Sequence, residues 1–439
     1  MRKGFVFNYF NCVNCGACSA ACIIENGWPV SRREIFTYNS EVISVAPVIN
    51  ISSACNHCEI PACLNGCPTG AFSMDQETGS VIVDEGKCIG CRYCQWNCPY
   101  NAPIYDTNER VIVKCNFCYE GLIEGRLPAC TSACPTGALN YDILPDQISN
   151  NILQWFPEKN LSPGLLITGK KNDAPPRIIP ETFFKSEVVS TKDTVQVKKS
   201  DWSLILFTFL TTLSVAYIAS PLLNGIFPDP IIYSLLIISA GISSLFHLGK
   251  PLRAWKSVAN FKNSALSREI LMYIIFAVMS IITVFYRLPL LFIISSVFGL
   301  VLLLLIDYVY LFSDMRMKTW MHTGQTFVSA LLIVSFFTGS ILPFTFIALI
   351  KFIFYLYNFF VNNKSFSESG LKLIRIALLI ISGGSLISGI SYPDMIIFFL
   401  FLAGEFFDRI FFYIEYNPMN ISNSIQSHIN KKIYEKKRS

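Results

Sequence analysis

Histidine is scarce in this chain, which has four in 439 residues: His57, His247, His322 and His428. Two of them, His247 and His322, stand near long apolar segments, and each lies at the rim of one. A haem held by two histidines needs a pair of facing ligands inside a helical bundle. The sequence therefore argues against a membrane haem, and we expect none.

Charged residues are also few, because they make up 15% of the chain while apolar residues make up 52%. This apolar share is higher than that of ordinary soluble proteins. The net charge is only +5, and the basic residues cluster beside apolar segments. We expect a membrane surface as their partner and no nucleic acid. The opening MRKGFVFNYFNC lacks an apolar core of about 7–15 residues, so we expect no cleavable signal peptide.

Cysteine is absent after position 134, and all 16 cysteines lie between Cys12 and Cys134. They form four groups of four. The spacing is x2, x2, x3 in the first and third groups, x2, x4, x3 in the second, and x2, x11, x3 in the fourth. The groups are Cys12, Cys15, Cys18, Cys22; Cys55, Cys58, Cys63, Cys67; Cys88, Cys91, Cys94, Cys98; and Cys115, Cys118, Cys130, Cys134.

This spacing is typical of the ligands of 4Fe–4S clusters, in the pattern C-x2-C-x2-C-x3-C-P. Proline follows the last cysteine of three groups, whereas Ile23 follows Cys22. A disulfide scaffold is a weaker alternative, since thiols so close in sequence bridge poorly. A zinc protein is also weaker, because zinc sites use paired C-x2-C units. The sequence predicts four 4Fe–4S clusters with no thiol left over.

Crossed ligation predicts which cysteines share a cluster, since the fourth cysteine of such a group serves a neighbouring cluster. The motif CPTGA occurs at 67–71 and at 134–138, which indicates two duplicated halves. A small domain that holds a chain of iron–sulfur clusters carries single electrons and binds no substrate. The predicted sets are set 1 (Cys12, Cys15, Cys18, Cys134), set 2 (Cys55, Cys58, Cys63, Cys98), set 3 (Cys88, Cys91, Cys94, Cys67) and set 4 (Cys115, Cys118, Cys130, Cys22).

The C-terminal half is almost continuously apolar. A helix needs roughly 20 apolar residues to cross a bilayer, and we count eight such segments. The predicted fold is an α+β ferredoxin-like domain with four clusters over 1–145, an extension and linker over 146–200, an all-α eight-helix transmembrane bundle over 201–415, and a basic tail over 416–439. The segments lie near 202–219, 230–248, 269–287, 289–312, 325–342, 343–361, 371–390 and 394–414.

Charged residues inside the apolar segments need an explanation, because they are costly in lipid. Glu405 and Arg409 stand one turn apart, which predicts an ion pair with either a structural or a proton-handling role. The roles of Lys351 and Asp307 stay open. The loops on the side of the cysteine domain carry ten basic residues, and the opposite loops carry only Arg287. The positive-inside rule, applied to this difference in charge, places the cysteine domain in the cytoplasm.

The stretch FHLGKPLRAWKSVANFKNSALSREI combines titratable groups at the edge of two predicted spans. His247 ends the second span, Glu269 begins the third, and Lys250 and Arg253 lie between them. Quinol oxidation releases two protons with two electrons, so it requires nearby proton acceptors. We therefore predict a quinol site at His247 and Glu269.

At this point the residues match a known family. The N-terminal half resembles the four-cluster iron–sulfur subunit of DMSO reductase and related molybdopterin oxidoreductases, through the four cysteine groups and CIGCRYCQWNCPY. The C-terminal half resembles the haem-free, eight-span anchor of the same complexes, through HLGKPLRAW, LSREI and GEFFDR. Two subunits that are usually separate are fused here.

The resemblance implies that menaquinol is oxidised at the anchor and that electrons pass to a molybdopterin catalytic subunit on another chain. That partner would reduce DMSO or a similar acceptor, so this chain would not itself act on the terminal substrate. His247 and Glu269 would occupy quinol-site positions. From the residues themselves, we add Lys250, Arg253, Glu405 and Arg409 as candidates for quinol binding or proton handling.

The resemblance also implies a multi-pass protein of the cytoplasmic membrane with its soluble domain exported, in conflict with the charge pattern. We expect set 4 to lie nearest the lipid, since its group leads into the extension. The alternative is a subunit of a quinone-reducing molybdenum dehydrogenase. Such complexes usually use a haem anchor, and the scarcity of histidine argues against it.

Overall fold

The computed structural model describes residues 2–38, 48–145, 156, 160–169, 202–313, 324–362, 377–378, 380 and 395–416. The chain divides into two compact units, an N-terminal unit within Met1–Asp193 and a helical unit within Thr194–Asn417. The finer boundaries near residues 145, 200 and 415 stay predictions.

The N-terminal unit is built from short strands and short helices, as expected of an α+β fold. Its helices are α1 (Ala17–Asn26), α2 (Ala62–Gly66), α3 (Tyr93–Asn97), α4 (Tyr119–Ile123) and α5 (Ala129–Ser132). Its strands are β1 (Lys3–Asn8), β2 (Glu34–Tyr38), β3 (Ile49–Ser53), β4 (Phe72–Met74), β5 (Val81–Val83), β6 (Ile104–Asp106), β7 (Val111–Val113), β8 (Leu139–Ile143) and β9 (Leu165–Thr168).

A three-stranded sheet ties the two ends of this unit together. Strand β1 lies in the middle, antiparallel to β8 and parallel to β9. Phe5 and Phe7 are two positions apart along β1, so both point to one face, and each is 1% exposed. The ring of Phe5 lies 4.9 Å from that of Phe117. The core therefore forms between this sheet and the fourth cysteine group.

Two hairpins of equal length, β4–β5 and β6–β7, stand next to the inner cysteine groups. Asp75 closes the first, because its carboxylate accepts a hydrogen bond of 2.7 Å from the N–H of Thr78. Asp106 closes the second in the same way, accepting from the N–H of Asn108 at 2.8 Å. Aspartate stabilises turns by such bonds. The equivalence of the two turns is consistent with duplicated halves.

The helical unit contains long apolar helices. Its helices are α6 (Trp202–Ala219), α7 (Pro221–Asn224), α8 (Pro230–Leu245), a 3-10 helix (Pro251–Val258), α9 (Ala265–Tyr286), α10 (Pro289–Ser313), α11 (Thr326–Phe337), α12 (Ile341–Asn362) and α13 (Met395–Glu415).

Among the described residues, three stretches are long and apolar enough to cross a membrane: Trp202–Asn224, Ala265–Tyr286 and Pro289–Tyr310. Shorter apolar helices cover Pro230–Leu245, Thr326–Phe337 and Ile341–Leu356. The chain is thus a membrane protein, and the count of eight spans stays a prediction. The predicted segment 371–390 lies almost wholly outside the described residues.

Local sequence signals fix where helices α8 and α9 begin. Helix α8 begins with proline, and Asp229 caps it by accepting from the N–H groups of Ile231 and Ile232, both at 2.9 Å. Helix α9 begins after Ser264, whose hydroxyl accepts from the N–H of Ser267 at 3.3 Å. Such caps set where a helix starts.

Candidate functional site

Each cysteine group opens with the same backbone turn. The residue before its second cysteine has a positive φ, which is 55° at Asn14, 42° at His57, 68° at Gly90 and 70° at Phe117. A non-glycine residue in this conformation costs about 1–2 kcal/mol. The turn aims its N–H at the first thiol of the group, with N···S distances of 3.5 Å at His57 and 3.4 Å at Gly90 and Phe117. Strain at the three non-glycine positions, Asn14, His57 and Phe117, indicates a functional constraint.

The later cysteines lie on or beside short helices. Helix α1 carries Cys18 and Cys22, four residues apart and therefore on one face. Helix α3 carries Cys94 and ends against Cys98.

Two of the predicted sets each line a cavity. Set 2, with Cys55, Cys58, Cys63 and Cys98, lines one cavity. Set 4, with all four of its thiols, lines another. In both, the fourth thiol comes from a distant group in the sequence, as crossed ligation requires.

The other two sets are recognised by the mutual electrostatics of their thiols. In set 1, Cys12 interacts with the other three members. In set 3, Cys94 interacts with the other three members and also with Cys63 of set 2. The structure therefore brings together all four predicted sets.

These sets fit a cluster better than a single ion. All sixteen cysteines are described, and all are free thiols. Within the described residues, no three histidine, cysteine or acidic side chains come close enough to hold one metal ion. Zinc would draw four sulfurs to about 2.3 Å from one centre. The four thiols of set 2 and the four of set 4, each around one cavity, instead suit the corners of a 4Fe–4S cube.

Burial keeps most of these thiols protonated when no metal is bound. It raises the pKa of Cys91 to about 12 and the pKa of Cys98 to about 11. Only the thiolate binds metal, so cluster assembly must release these protons. Metal binding by this unit therefore depends on pH.

The four sets lie in a row. Set 1 adjoins set 4, set 4 adjoins set 2, and set 2 adjoins set 3, so that sets 1 and 3 are the ends. The adjoining thiols, which interact electrostatically, are Cys18 with Cys130, Cys115 with Cys55, and Cys63 with Cys94.

A buried lysine, which the sequence analysis missed, lies between sets 2 and 4. Lys114 is 3% exposed. Its ammonium donates to the carbonyl of Cys115 at 2.8 Å, to the sulfur of Cys55 at 3.4 Å, and to the carbonyl of Val81. Burial opposes its charge, but negative charge on Cys55, Cys63 and Cys115, which these sulfurs carry as cluster ligands, raises the pKa of Lys114 overall.

A second buried cation lies between sets 1 and 4. Arg33 is 3% exposed, and its guanidinium donates to the hydroxyl of Ser52 at 3.1 Å. Burial opposes the charge, but thiolates including Cys130 and Cys18 raise the pKa of Arg33. The interior of this unit therefore contains two buried cations, Lys114 and Arg33, that can offset negative charge on the cysteine sets.

His57 is part of the core and not an acid–base group. Its ring stacks on Phe117 at 4.1 Å, and its Nδ1 accepts a hydrogen bond of 3.0 Å from the N–H of Val81. Burial, followed by the charges of Lys114 and Arg33, holds the pKa of His57 well below its usual range.

In the helical unit, the connection between α8 and α9 holds three of the predicted quinol-site residues. His247 lies two residues after α8, and Lys250 directly precedes the 3-10 helix that contains Arg253. All three side chains are half-buried. They therefore lie on one short segment at the helix ends, where the sequence predicted a headgroup site.

Glu269 lies in the second turn of α9. The hydroxyl of Ser267 donates to the carbonyl of Ser257 at 2.5 Å, which holds the connection against the start of this helix. The side chain of Glu269 points into the protein and is 6% exposed. It interacts electrostatically with Arg409 of α13 and with Asp307 of α10. Two residues predicted independently for this site, Glu269 and Arg409, are thus brought together.

The predicted ion pair between Glu405 and Arg409 is wrong. Lys351 of α12 is 0% exposed, and its ammonium lies 2.5 Å from the Oε2 of Glu405 and 3.1 Å from the Oδ2 of Asp408. It also donates to the hydroxyl of Ser329 at 3.0 Å. Glu405 therefore pairs with a lysine of the neighbouring helix. We call Lys351, Glu405, Asp408, Ser329 and Tyr355, whose hydroxyl donates to Asp408, the lysine cluster.

Arg409 instead bonds to neutral groups. Its Nε donates to the hydroxyl of Thr208 at 2.8 Å and its Nη1 to the carbonyl of Gly324 at 2.9 Å. Asp307, left open by the sequence, accepts from the N–H groups of Thr326 and Phe327 at 3.0 and 3.1 Å. It thus stabilises the N-terminus of α11, as anionic groups do there.

Comparison with known proteins finds a family match for each half of the chain. The 4Fe–4S dicluster domain family matches residues 47–143, and the DMSO reductase anchor subunit (DmsC) family matches residues 197–388. The sequence is 38% identical over 150 residues to the probable anaerobic dimethyl sulfoxide reductase chain YnfG of Escherichia coli K12, which covers 32% of this chain and 73% of that one. This polypeptide belongs to the DMSO reductase family of iron–sulfur subunits. It carries the iron–sulfur domain and the membrane anchor together.

Other relatives extend the family beyond one substrate. A subunit of the anaerobic dimethyl sulfoxide reductase of Haemophilus influenzae is 38% identical over 151 residues, with 32% of this chain and 73% of the relative covered. The thiosulfate reductase electron transfer subunit PhsB of Salmonella typhi is 38% identical over 157 residues, with 34% and 79% covered. As a member of this family, the protein is an electron-transfer iron–sulfur subunit with its own anchor.

Sequence reasoning missed Lys114, Arg33 and Asp408. A Lys–Cys step opens both the third and the fourth cysteine group, so a signal for Lys114 existed but did not single it out. Asp408 stands three residues after Glu405, on the same helical face, and was visible as a second acid in GEFFDR.

Proposed function

We propose that this chain oxidises menaquinol in its helical unit and delivers the electrons, through four 4Fe–4S clusters held by sets 1 to 4, to a separate molybdopterin-containing subunit. The observation that carries the proposal is the row of four complete thiol sets, each built by crossed pairing. When bound, each cluster accepts and returns one electron. A row with two distinct ends suits passage between two partners better than storage at one site.

The order of the sets in the row changes our expectation of which cluster lies nearest the lipid. Set 4 was expected to lie nearest the lipid, but it has set 1 on one side and set 2 on the other. A cluster that exchanges electrons with a partner outside the unit is best placed at an end. We therefore assign the two exchange points to sets 1 and 3.

The proposed quinol site centres on His247 and Glu269. His247 would accept a proton from one quinol hydroxyl, and the carboxylate of Glu269 would accept the other. Arg409 interacts with Glu269 and would offset the negative charge of its carboxylate. Lys250 and Arg253, on the same connection, would hold the headgroup oxygens. Glu405 belongs to the lysine cluster, where we assign it to proton handling.

The partner follows from the relatives, whose names are those of subunits of DMSO and thiosulfate reductases. We propose a catalytic subunit that reduces DMSO or a similar small acceptor. We place the anchor in the cytoplasmic membrane with the N-terminal unit on the outer face, beside an exported partner. The basic loops then serve docking and the quinol headgroup.

The test compares two routes for electrons in the assembled complex. Menaquinol-driven turnover uses the helical unit, whereas a reduced dye feeds the catalytic subunit directly. Glu269→Gln keeps the shape but removes proton exchange, so menaquinol-driven turnover should fall at least tenfold while dye-driven turnover stays unchanged. His247→Ala should behave in the same way.

The matched control is Asp229→Asn, which also turns a carboxylate into an amide in the helical unit but keeps the cap of α8. It should leave both routes intact. A parallel loss of both activities in Glu269→Gln would mean that the residue holds structure. Full menaquinol activity in both variants would place the quinol elsewhere.

A further inference from the structure

Two lysines occupy the same place in the sequence, directly before the first cysteine of a group, but differ in their surroundings. Lys87 precedes Cys88, its side chain is 58% exposed, and its ammonium pairs with Asp84 at 3.4 Å. Lys114 precedes Cys115 and is 3% exposed. Among the described residues its ammonium contacts two carbonyls and one sulfur, and no carboxylate. Its counter-charge must therefore come from the cysteine sets.

The ammonium of Lys114 touches both inner sets. It donates to the sulfur of Cys55, a member of set 2, and to the carbonyl of Cys115, a member of set 4. It also interacts electrostatically with Cys63 of set 2. Because these sets adjoin each other at Cys55 and Cys115, one positive charge lies at the midpoint of the row.

A cation in this position favours extra negative charge on its neighbours. Four thiolates give each site a negative charge, and uptake of an electron adds one more. A buried ammonium stabilises the reduced form more than the oxidised form, since screening by water is weak inside the protein. Hydrogen bonds to the ligand sulfurs act in the same direction.

We propose that Lys114 is a redox-tuning residue, which raises the midpoint potentials of both inner clusters, those of sets 2 and 4, and so favours electrons at the centre of the row. The inference rests on the proposed four-cluster function. It assigns to Lys114 a role beyond holding its loop, because a purely structural lysine would not move two potentials together.

The experiment is a redox titration of the full chain in detergent, with the reduced clusters followed by electron paramagnetic resonance. Cys58→Ser and Cys118→Ser assign the signals of sets 2 and 4. In Lys114→Met, the ratio of reduced to oxidised cluster at a fixed solution potential should fall at least tenfold for both sets. This corresponds to a drop of about 59 mV in each midpoint potential, because one electron is transferred. The signals of sets 1 and 3 should move less.

Two further variants separate charge from position. Lys114→Arg keeps the charge and should retain the potentials of the inner clusters. Lys87→Met removes a lysine from the same sequence position of another group, and it should leave all four potentials in place because water and Asp84 already screen that charge.

Several results would overturn the inference. One is a Lys114→Met protein with full iron content and unchanged potentials at sets 2 and 4. Another is an equal shift in Lys87→Met. If Lys114→Met fails to assemble, Lys114→Gln is titrated instead, since the amide keeps a donor for the carbonyls without the charge, and the same shift is required. Too little iron in the unmodified chain would instead contradict the proposed function.

Discussion

Replacing Lys351 with methionine tests whether the lysine cluster stabilises the helical unit. The substitution keeps a long unbranched side chain and removes the ammonium that neutralises Glu405 and Asp408. Both carboxylates are nearly inaccessible to water, at 2% and 0% exposure. They would keep their other contacts but lose the cation that lies 2.5 and 3.1 Å away.

The expected cost follows from this burial. Removing one partner of a buried ion pair costs about 3–5 kcal/mol, because the other charge is left in a poorly polarisable interior. Two carboxylates share this lysine, but one can take up a proton and so lessen the penalty. We therefore expect the free energy of unfolding to fall by about 3–5 kcal/mol and not by twice that amount.

The assay is denaturant-induced unfolding of the full chain in detergent, with the midpoint compared between variants. Lys351→Met combined with Glu405→Gln and Asp408→Asn should recover most of the loss, since it replaces the ions with neutral groups that still form hydrogen bonds. The exposed Lys262 supplies a control, and Lys262→Met should change stability by no more than about 0.5 kcal/mol. The reasoning fails if Lys351→Met costs less than about 1 kcal/mol or if the triple variant is as unstable as the single one.

Three further predictions concern composition and local structure. Anaerobically purified protein should contain about sixteen irons per chain, and a value of eight or less would contradict four clusters. The reduced-minus-oxidised spectrum should lack a b-type haem band, whereas a stoichiometric band that disappears in His247→Ala would refute the haem-free prediction. Asp229→Ala should destabilise the helical unit by about 1 kcal/mol through loss of the cap of α8, while Asp229→Asn should cost far less. Equal losses of stability for the two variants in a thermal melt would show that the cap does not matter.

The cysteine sets could be derived from the sequence because their determinants are local. Spacing of two or three residues fixes which thiols can face one cavity, and the known crossing of the fourth ligand supplies the rest. The row of sets could not be derived, since it depends on how the two duplicated halves pack. That packing is decided by contacts such as the one between Phe5 and Phe117, which are 112 positions apart in the chain.

The pairing of polar groups in the helical unit could not be derived from the sequence. Glu405 and Arg409 are one helical turn apart, and this spacing predicted an ion pair. The carboxylate of Glu405 instead pairs with Lys351, which lies 54 positions earlier in the sequence. Helical spacing states which side chains share a face and not what the next helix presents to that face. The same limit applies to Lys114 and Lys87, whose sequence contexts match while their burial differs.

The thiols of the row differ in their access to water, and this gives the row a vulnerable end. In set 1, Cys15 is exposed and both Cys12 and Cys134 are half-buried, whereas every thiol of set 4 is buried. Oxidation of cysteine follows exposure, so dioxygen and peroxide would attack first at set 1. Damage by air should therefore be directional, since it would begin at one end of the row and not at its centre.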